Sequence, residues 1–220
     1  MSAAGALAHL YPAALAVLLA AWLAQLPSAL GRLRRRMTGS GGYVLAALLL
    51  AALTLRLAAG PAHRVYNDEF EHLDIAHQLA ESGSFSVTLA GGLPGYDVLG
   101  RPTWPGGHHV ALAAVFKSFG GSESTAFAWS SFLSVLSALF VFWAALELFE
   151  DERGALAAAF AWAVLPLAVR YGTATDLTSS TMFWIAASLA ALHAREKESG
   201  RGLDAFAACT LAFAVQVRPE

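Results

Sequence analysis

Residues 126–148 read AFAWSSFLSVLSALFVFWAALEL, and Glu147 is the only charged side chain among them. A helix needs about 20 mostly apolar residues to cross the hydrocarbon core of a membrane. The strands of a membrane β-barrel would alternate polar and apolar residues, and this run does not. The segment therefore predicts a transmembrane helix.

The composition of the whole chain agrees with a membrane protein. Of the 220 residues, 57% are hydrophobic and 14% are charged, whereas soluble domains carry about 25% charged residues. The mean hydropathy of +0.54 excludes an ordinary cytosolic enzyme and a disordered chain. The 14 Lys and Arg residues do not outnumber the 16 Asp and Glu residues, so nothing favours nucleic acid as a partner. A single cysteine, Cys209, excludes an internal disulfide.

The same length criterion predicts six spans in all. The expected spans are Tyr11–Leu30, Tyr43–Ala59, Ala126–Leu148, Ala155–Tyr171, Leu177–His193 and a sixth that starts with Leu203–Val217. The basic run GRLRRRM follows the first span, so that span is a retained helix and not a signal peptide. With the amino terminus outside, most Lys and Arg residues fall in inner loops, as the positive-inside rule requires. Arg56 and Arg170, near outer helix ends, are expected to extend to the membrane interface.

The predicted outer loop, about residues 60–125, contains two helical segments. Residues 68–82 carry acidic and His residues on one face and apolar residues at helical spacing on the other, and Gly83 provides a stop signal. This pattern predicts an amphipathic helix at the membrane surface. Residues 107–119 are apolar but too few to cross, so they predict an interfacial or re-entrant helix. The apolar stripe of the first segment consists of Phe70, Leu73, Ala76 and Leu79.

Asp68 and Glu69 stand at the start of the amphipathic segment and allow two interpretations. Asp68 with Glu71 three residues later has the spacing of a capping box, and acids favour helix amino termini. A carboxylate beside the membrane also suits general-base chemistry. His72, one turn later, makes a fragment of a metal site with these acids, but no second pair of this kind follows.

Other polar residues of the outer side also have a structural alternative. Asp176 either caps the fifth span or belongs to a site. Arg218 is either an interface anchor or a ligand-binding cation. Residues 100–110, GRPTWPGGHHV, contain Arg101 and His108, and the structural alternative for this segment is a re-entrant loop whose two His side chains are hydrated.

These features occur in a characteristic order. An acidic pair follows an early span, and an amphipathic helix ending in Gly comes next. A G-R-P-x-W-P-G-G turn, a short helix ending F-G-G, a T-D at the next outer mouth and an R-P after another span complete the set. This order resembles the polytopic GT-C glycosyltransferases of the glycosyltransferase family 39 type, which include protein O-mannosyltransferases and aminoarabinose transferases. The similarity covers roughly residues 44–220.

The resemblance implies both a fold and a function. The expected fold is an all-α, polytopic transmembrane helix bundle. The expected activity is inverting transfer of a sugar from a polyprenyl-phosphate carrier to an acceptor glycan, lipid or protein, on the outer face of the plasma (inner) membrane.

The resemblance also implies residue roles. Asp68 matches the general base and Glu69 its partner. Asp176 matches an acid near the donor or near a divalent cation, and Arg218 matches a contact of the donor phosphate. Arg101 and His108 join the donor-binding candidates. No cofactor is established by the resemblance, and Mg²⁺ or Mn²⁺ near Asp176 is the one candidate.

Two regions are predicted. Residues 1–42 form an additional amino-terminal span with a basic cytoplasmic loop, and residues 43–220 form the amino-terminal part of a GT-C-like module that is truncated and expected to be incomplete as an enzyme. Two other functions remain open, a non-catalytic membrane subunit and a transporter of lipid-linked sugars. A transporter would show ionisable residues deep within its spans and broken helices.

Overall fold

The computed structural model describes residues 3–62, 66–88, 99–100, 105–198 and 200–217. It confirms the prediction of an all-α, polytopic membrane bundle. The helices are α1 (Ala3–Arg36), α2 (Gly39–Ala59), α3 (Tyr66–Ser82), α4 (Gly107–Phe119), α5 (Glu123–Phe149), α6 (Glu152–Val164), α7 (Pro166–Gly172), α8 (Thr178–Lys197) and α9 (Arg201–Val215). Two strands of two residues, β1 (Val87–Thr88) and β2 (Leu99–Gly100), pair antiparallel.

The number of helices able to span a membrane is smaller than the six predicted. Among the described helices, α1, α2 and α5 are long and apolar enough. The predicted fourth span is two helices, α6 and α7, bent by 60°. Pro166 causes this break, because it has no N–H with which to continue α6. Helix α9 has 15 residues, about 22 Å at 1.5 Å per residue, and is therefore too short. Helix α8 has 20 residues, but it begins with the polar run Thr178–Thr181 and ends in the charged run Arg195–Lys197, so its composition does not meet the criterion.

Helix α5 occupies the centre of the bundle. In the most apolar stretch of α5, 61% of the residues are buried, whereas the corresponding fraction is 17% in α1 and in α2. Helices α1 and α2 therefore expose apolar faces at the periphery of the bundle. Aromatic rings of α1, α8 and α9 pack with those of α5 to form the core. The buried rings belong to Trp22, Phe140, Trp143, Phe183, Trp184, Phe206 and Phe213. The indole N–H of Trp22 in α1 donates to Thr210 Oγ1 in α9 at 2.9 Å, so the first and last helices are tied directly.

Short connections place the helix ends in two opposite groups. At one end, which we call the basic end, α1, α5 and α8 finish and α2, α6 and α9 begin. Ion pairs join these turns, with Arg36 Nη1 at 3.3 Å from Glu147 Oε2 and Arg32 Nη1 at 2.9 Å from Glu198 Oε2. The opposite end, where α2, α7 and α9 finish, carries α3 and α4, and we call it the site end.

Helices α3 and α4 pack on each other at the site end. Helix α4 has the predicted bounds of residues 107–119. Helix α3 ends at Ser82, and Gly83 follows it with a φ of 69°, which favours glycine. Leu73 and Ala76 of the predicted stripe are buried against α4 and α5, whereas Phe70 is 54% exposed. The amphipathic pattern of α3 therefore serves mainly to seat it on α4.

Arg56 differs from its prediction. Instead of extending to the membrane interface, its side chain is 1% exposed and lies between α2, α5 and α6. Its Nη1 donates to the carbonyl oxygen of Ala163 at 3.1 Å. The break at Pro166 deprives this carbonyl of its helical partner, so the arginine satisfies an acceptor that the kink exposes.

Candidate functional site

The site is organised by the connection between α7 and α8, residues 173–177. Serine side chains of α5 fix α7, since Ser131 Oγ donates to the carbonyl of Gly172 at 3.0 Å and Ser134 Oγ donates to that of Ala168 at 3.1 Å. The backbone N–H of Ala62, after α2, donates to the carbonyl of Thr173 at 2.9 Å. This connection is therefore held from two sides.

Glu69 joins α3 to that connection. Its side chain is fully buried, and its Oε1 accepts from the backbone N–H of Thr175 at 3.3 Å. A buried carboxylate needs hydrogen-bond donors to offset its lost hydration. Glu69 therefore links two segments that are 106 residues apart in the chain.

Asp68 and Asp176 both lie near His72. Asp68 is half-buried in the first turn of α3, and Asp176 is 8% exposed in the connection before α8. Burial lowers the pKa of His72 to about 4, although the charges of Asp68 and Asp176 act to raise it. The imidazole is therefore neutral at neutral pH and does not neutralise the two carboxylates.

The capping interpretations have different outcomes for the two acids. Helix α3 begins at Tyr66, so Asp68 lies inside the first turn and the capping box predicted from Asp68 and Glu71 is wrong. Asp176 precedes the N-cap residue Leu177 of α8, but it does serve the start of this helix, because its Oδ1 and Oδ2 accept from the N–H and the hydroxyl of Thr178 at 2.9 and 3.0 Å. These bonds fix the orientation of the Asp176 carboxylate.

A cluster of three histidines, which includes His72, lies at the same end of the bundle as the acids. The ring centroids of His72, His108 and His109 are 5.1 to 5.9 Å apart. His109 Nδ1 lies 3.1 Å from the carbonyl oxygen of Pro105, which can only accept, so Nδ1 carries the proton and Nε2 accepts. His72 Nδ1, at 3.1 Å from His109 Nε2, is then a donor, and the lone pair of His72 is on Nε2.

His108 is positioned by α8. It is 2% exposed, and its Nδ1 lies 2.7 Å from Ser180 Oγ. Burial, together with His72, lowers its pKa to about 3. His109 is fully buried, so the alternative of two hydrated histidines is wrong. His108 Nε2 is buried and has no hydrogen-bond partner within the described ranges.

The amino terminus of α4 docks against the carboxyl end of α9. Gly107 N donates to the carbonyl of Gln216 at 2.8 Å. Tyr11 of α1 joins the same contact, since its hydroxyl donates to Gln216 Oε1 at 2.8 Å and accepts from Gly106 N at 2.9 Å. Residue 217, which precedes Arg218, is thereby held next to the turn that carries His108.

The structure brings together four predicted residues and leaves two unplaced. Asp68, Glu69, Asp176 and His108 gather at the site end, whereas Arg101 and Arg218 lie outside the described residues. Sequence reasoning missed Ser180, Tyr11 and Gln216. In the sequence, each of these residues stands out only as a polar residue within an apolar helix. That pattern does not identify the partner with which the residue hydrogen-bonds.

The predicted divalent cation receives no support from the geometry. Within the part of the chain that the structure describes, no three His, Cys, Asp or Glu side chains are arranged to hold a metal ion. The histidine nitrogens are also engaged elsewhere, since His72 Nδ1 bonds to His109 Nε2, His109 Nδ1 to the carbonyl oxygen of Pro105, and His108 Nδ1 to Ser180 Oγ. A divalent cation near Asp176 stays a prediction.

The comparisons with known proteins agree with this architecture. The family model of dolichyl-phosphate-mannose-protein mannosyltransferases matches residues 105–220, which is more than half of the chain. The matched region runs from the turn before α4 to the end of the chain and includes His108 and Asp176, while Asp68 and Glu69 precede it. No curated protein and no solved structure matches the chain significantly.

Proposed function

Because the chain belongs to the dolichyl-phosphate-mannose-protein mannosyltransferase family, whose members are membrane glycosyltransferases of the GT-C type, we propose that it transfers a sugar from a polyprenyl-phosphate donor to a hydroxyl group. The acceptor is a glycan, a lipid or a protein. The site end faces the exterior or the periplasm, and the basic end faces the cytoplasm, in accordance with the positive-inside rule.

One observation supports this proposal most strongly. Asp68 and Asp176 come from segments that are far apart in the chain, and the hydrogen bond from Thr175 N to Glu69 Oε1, 3.3 Å long, joins the residues next to them. A transferase of this kind needs a base for the acceptor beside the groups that hold the donor. This contact supports the proximity of the two acids that the reaction requires.

The proposed reaction is a single displacement with inversion. The Asp68 carboxylate takes the proton of the acceptor hydroxyl as its oxygen bonds to the anomeric carbon. The bond between that carbon and the phosphate oxygen breaks, and the polyprenyl phosphate leaves with the electron pair. A phosphate is a stable anion, so the leaving group needs positive charge nearby more than it needs an acid.

The remaining residues have positioning or binding roles in this proposal. Glu69 holds the first turn of α3 against residues 173–177 through Thr175. Asp176 and His108 line the donor side, and Arg218 and Arg101 supply positive charge to the donor phosphate. Residues 1–42 add a span before the module formed by residues 43–220, and Tyr11 of that span supports the turn at Gly106.

Transfer of radiolabelled sugar from a polyprenyl-phosphate-linked donor, measured in proteoliposomes, tests the proposal. We expect Asp68→Asn to abolish transfer while the protein still inserts and keeps its helical content. Glu81→Gln is the matched control, because Glu81 is an exposed carboxylate on the same helix, and it should transfer normally. Normal transfer by Asp68→Asn would exclude Asp68 as the base.

Transport of a lipid-linked sugar is a second candidate, favoured by two observations. A buried arginine lies in the last turn of α2, and a span is broken at Pro166. Buried ionisable residues and broken helices are among the features that the transporter hypothesis expects. Flux of the lipid-linked sugar across proteoliposomes without sugar transfer would support this alternative.

A further inference from the structure

Arg56 is a buried cation whose hydrogen bonds leave its charge uncompensated. Its Nε donates to Ser134 Oγ at 2.8 Å, and its Nη1 donates to the carbonyl oxygens of Ala52 and Ala163 at 3.0 and 3.1 Å. All three acceptors are neutral. These bonds hold the guanidinium in place at the site end of α2.

The remaining nitrogen of the guanidinium has no acceptor. Nη2 is buried and makes no hydrogen bond to any residue that the structure describes. No carboxylate of those residues lies within the 4.0 Å ion-pair distance of Arg56 either. Burial of a charge is unfavourable unless it is paired, so this position calls for an anion.

A cavity for such an anion lies beside the side chain. Its volume is about 150 Å³, and Arg56, Gly60, Ser124, Phe127, Ser131 and Thr173 are among its lining residues. A water molecule occupies about 30 Å³ of the liquid. The cavity therefore has the volume of several water molecules, which is enough for a phosphate group. The lining residues Leu57 and Ser124 are exposed, so the cavity opens at the surface of the bundle.

The surroundings of the cavity favour an anion that is part of a lipid. The opening lies at the end of a membrane span, and Leu57 on its rim is 63% exposed, which provides an apolar surface for a hydrocarbon chain. Thr173 links the cavity to the candidate site, because residues 173–177 also carry the contact with Glu69. A lipid phosphate seated here would lie beside the connection that also contains Asp176.

We propose that this cavity binds the phosphate group of a membrane lipid, with Arg56 supplying the countercharge and the Nη2 donors. The proposal rests on Arg56 and its cavity alone. If the lipid is the sugar donor or its polyprenyl phosphate product, the cavity is part of the transferase site and the proposal deepens the proposed function. If the lipid is a bulk anionic lipid, the cavity is a separate phospholipid site.

Native mass spectrometry of the full chain, released from nanodiscs, tests the proposal. The nanodiscs contain either a polyprenyl monophosphate or phosphatidylglycerol, and the retained lipid is counted for each variant. We expect Arg56→Gln to reduce retention of at least one of the two lipids about tenfold or more, because hydrogen bonds to a charged group are lost. The matched control is Arg170→Gln, since Arg170 is an exposed arginine at the same end, and it should retain lipid as the parent does.

Two further variants separate binding from folding. Ser134→Ala removes a hydrogen bond that anchors Arg56 but keeps the charge, so it should retain lipid. Arg56→Lys keeps the positive charge but loses the planar guanidinium group with its several N–H donors, so it should retain more lipid than Arg56→Gln. If Arg56→Gln loses only the polyprenyl phosphate, the site is supported and its ligand is the sugar donor or its product. If the variant also loses phosphatidylglycerol, the site is supported as a general site for lipid phosphates.

Equal retention of both lipids by the parent and by Arg56→Gln would overturn the proposal. Equal loss in Ser134→Ala and Arg56→Gln would also overturn it, because the effect would then follow the packing of α5 and not the charge. Asp68→Asn should abolish transfer and leave lipid retention unchanged, so a failure of the transferase proposal is distinguishable from a failure of this one.

Discussion

Replacement of Gly107 by alanine tests the docking of α4 on α9, on which the placement of the donor side depends. A Cβ atom on Gly107 would lie 2.7 Å from the carbonyl oxygen of Gln216 and 3.1 Å from Val217 Cγ2. The first of these atoms is backbone, so a side-chain rotation cannot relieve the clash. The hydrogen bond from Gly107 N to the same oxygen, now 2.8 Å long, would have to lengthen or break.

The expected cost follows from three contributions. Overpacking costs about 1–3 kcal/mol, and loss of the hydrogen bond costs about 0.5–1.5 kcal/mol. Alanine gains at most about 1 kcal/mol over glycine in helix propensity, and less in a first turn. The free energy of unfolding should therefore fall by about 0.5–4.5 kcal/mol, and the melting temperature by about 2–4 °C for each kcal/mol.

Thermal unfolding in detergent micelles and sugar transfer in proteoliposomes measure the two consequences of Gly107→Ala. Transfer should fall by more than the loss of folded protein explains, because residue 217, which precedes the proposed phosphate contact Arg218, would move. Gly31→Ala is the control, since no atom lies within 4 Å of its added Cβ. Unchanged stability and transfer in Gly107→Ala would refute the docking of α4 on α9.

Three other predictions concern single groups. Asp151→Ala removes the acceptor for Arg153 N and Gly154 N at the start of α6. It should lower stability by about 1 kcal/mol in a chemical denaturation experiment and leave transfer intact. The pKa of His72 is lowered to about 4 in the folded protein, against about 6.5 when unfolded, so protons bind the unfolded state preferentially between these values. The melting temperature should therefore decline as the pH falls from about 6.5 towards 4, and a His72→Gln variant that declines just as steeply would contradict this assignment. Glu69→Gln keeps an acceptor for Thr175 N and should fold, whereas Glu69→Ala leaves that N–H unpaired and should unfold at a lower denaturant concentration.

The helical segments could be predicted because each depends on local information. The bounds of α4 follow from an apolar run between glycines, and the end of α3 follows from Gly83. The start of α3 was misplaced by two residues because Asp68 resembles a cap in sequence. The helix in fact begins at Tyr66.

The partners of buried polar groups could not be predicted from the sequence. Arg56 near a helix end resembles an interface residue, and its burial depends on the kink at Pro166, which exposes the carbonyl of Ala163. The two histidines of residues 108 and 109 depend in the same way on Ser180 and on His72, which come from other helices. Such contacts arise from tertiary packing, and no periodicity in one segment encodes them.

The central claim is that the first turn of α3 and the connection before α8 form one site. Cysteine cross-linking measures this directly, with Cys209→Ser as the background and cysteines at positions 68 and 176. A bismaleimide much shorter than α3 should join these positions in the membrane. The control pair of 81 and 176 should remain unjoined, because residue 81 is about 20 Å further along α3. Absence of the 68–176 cross-link, with both cysteines reactive towards a monofunctional maleimide, would contradict a shared site.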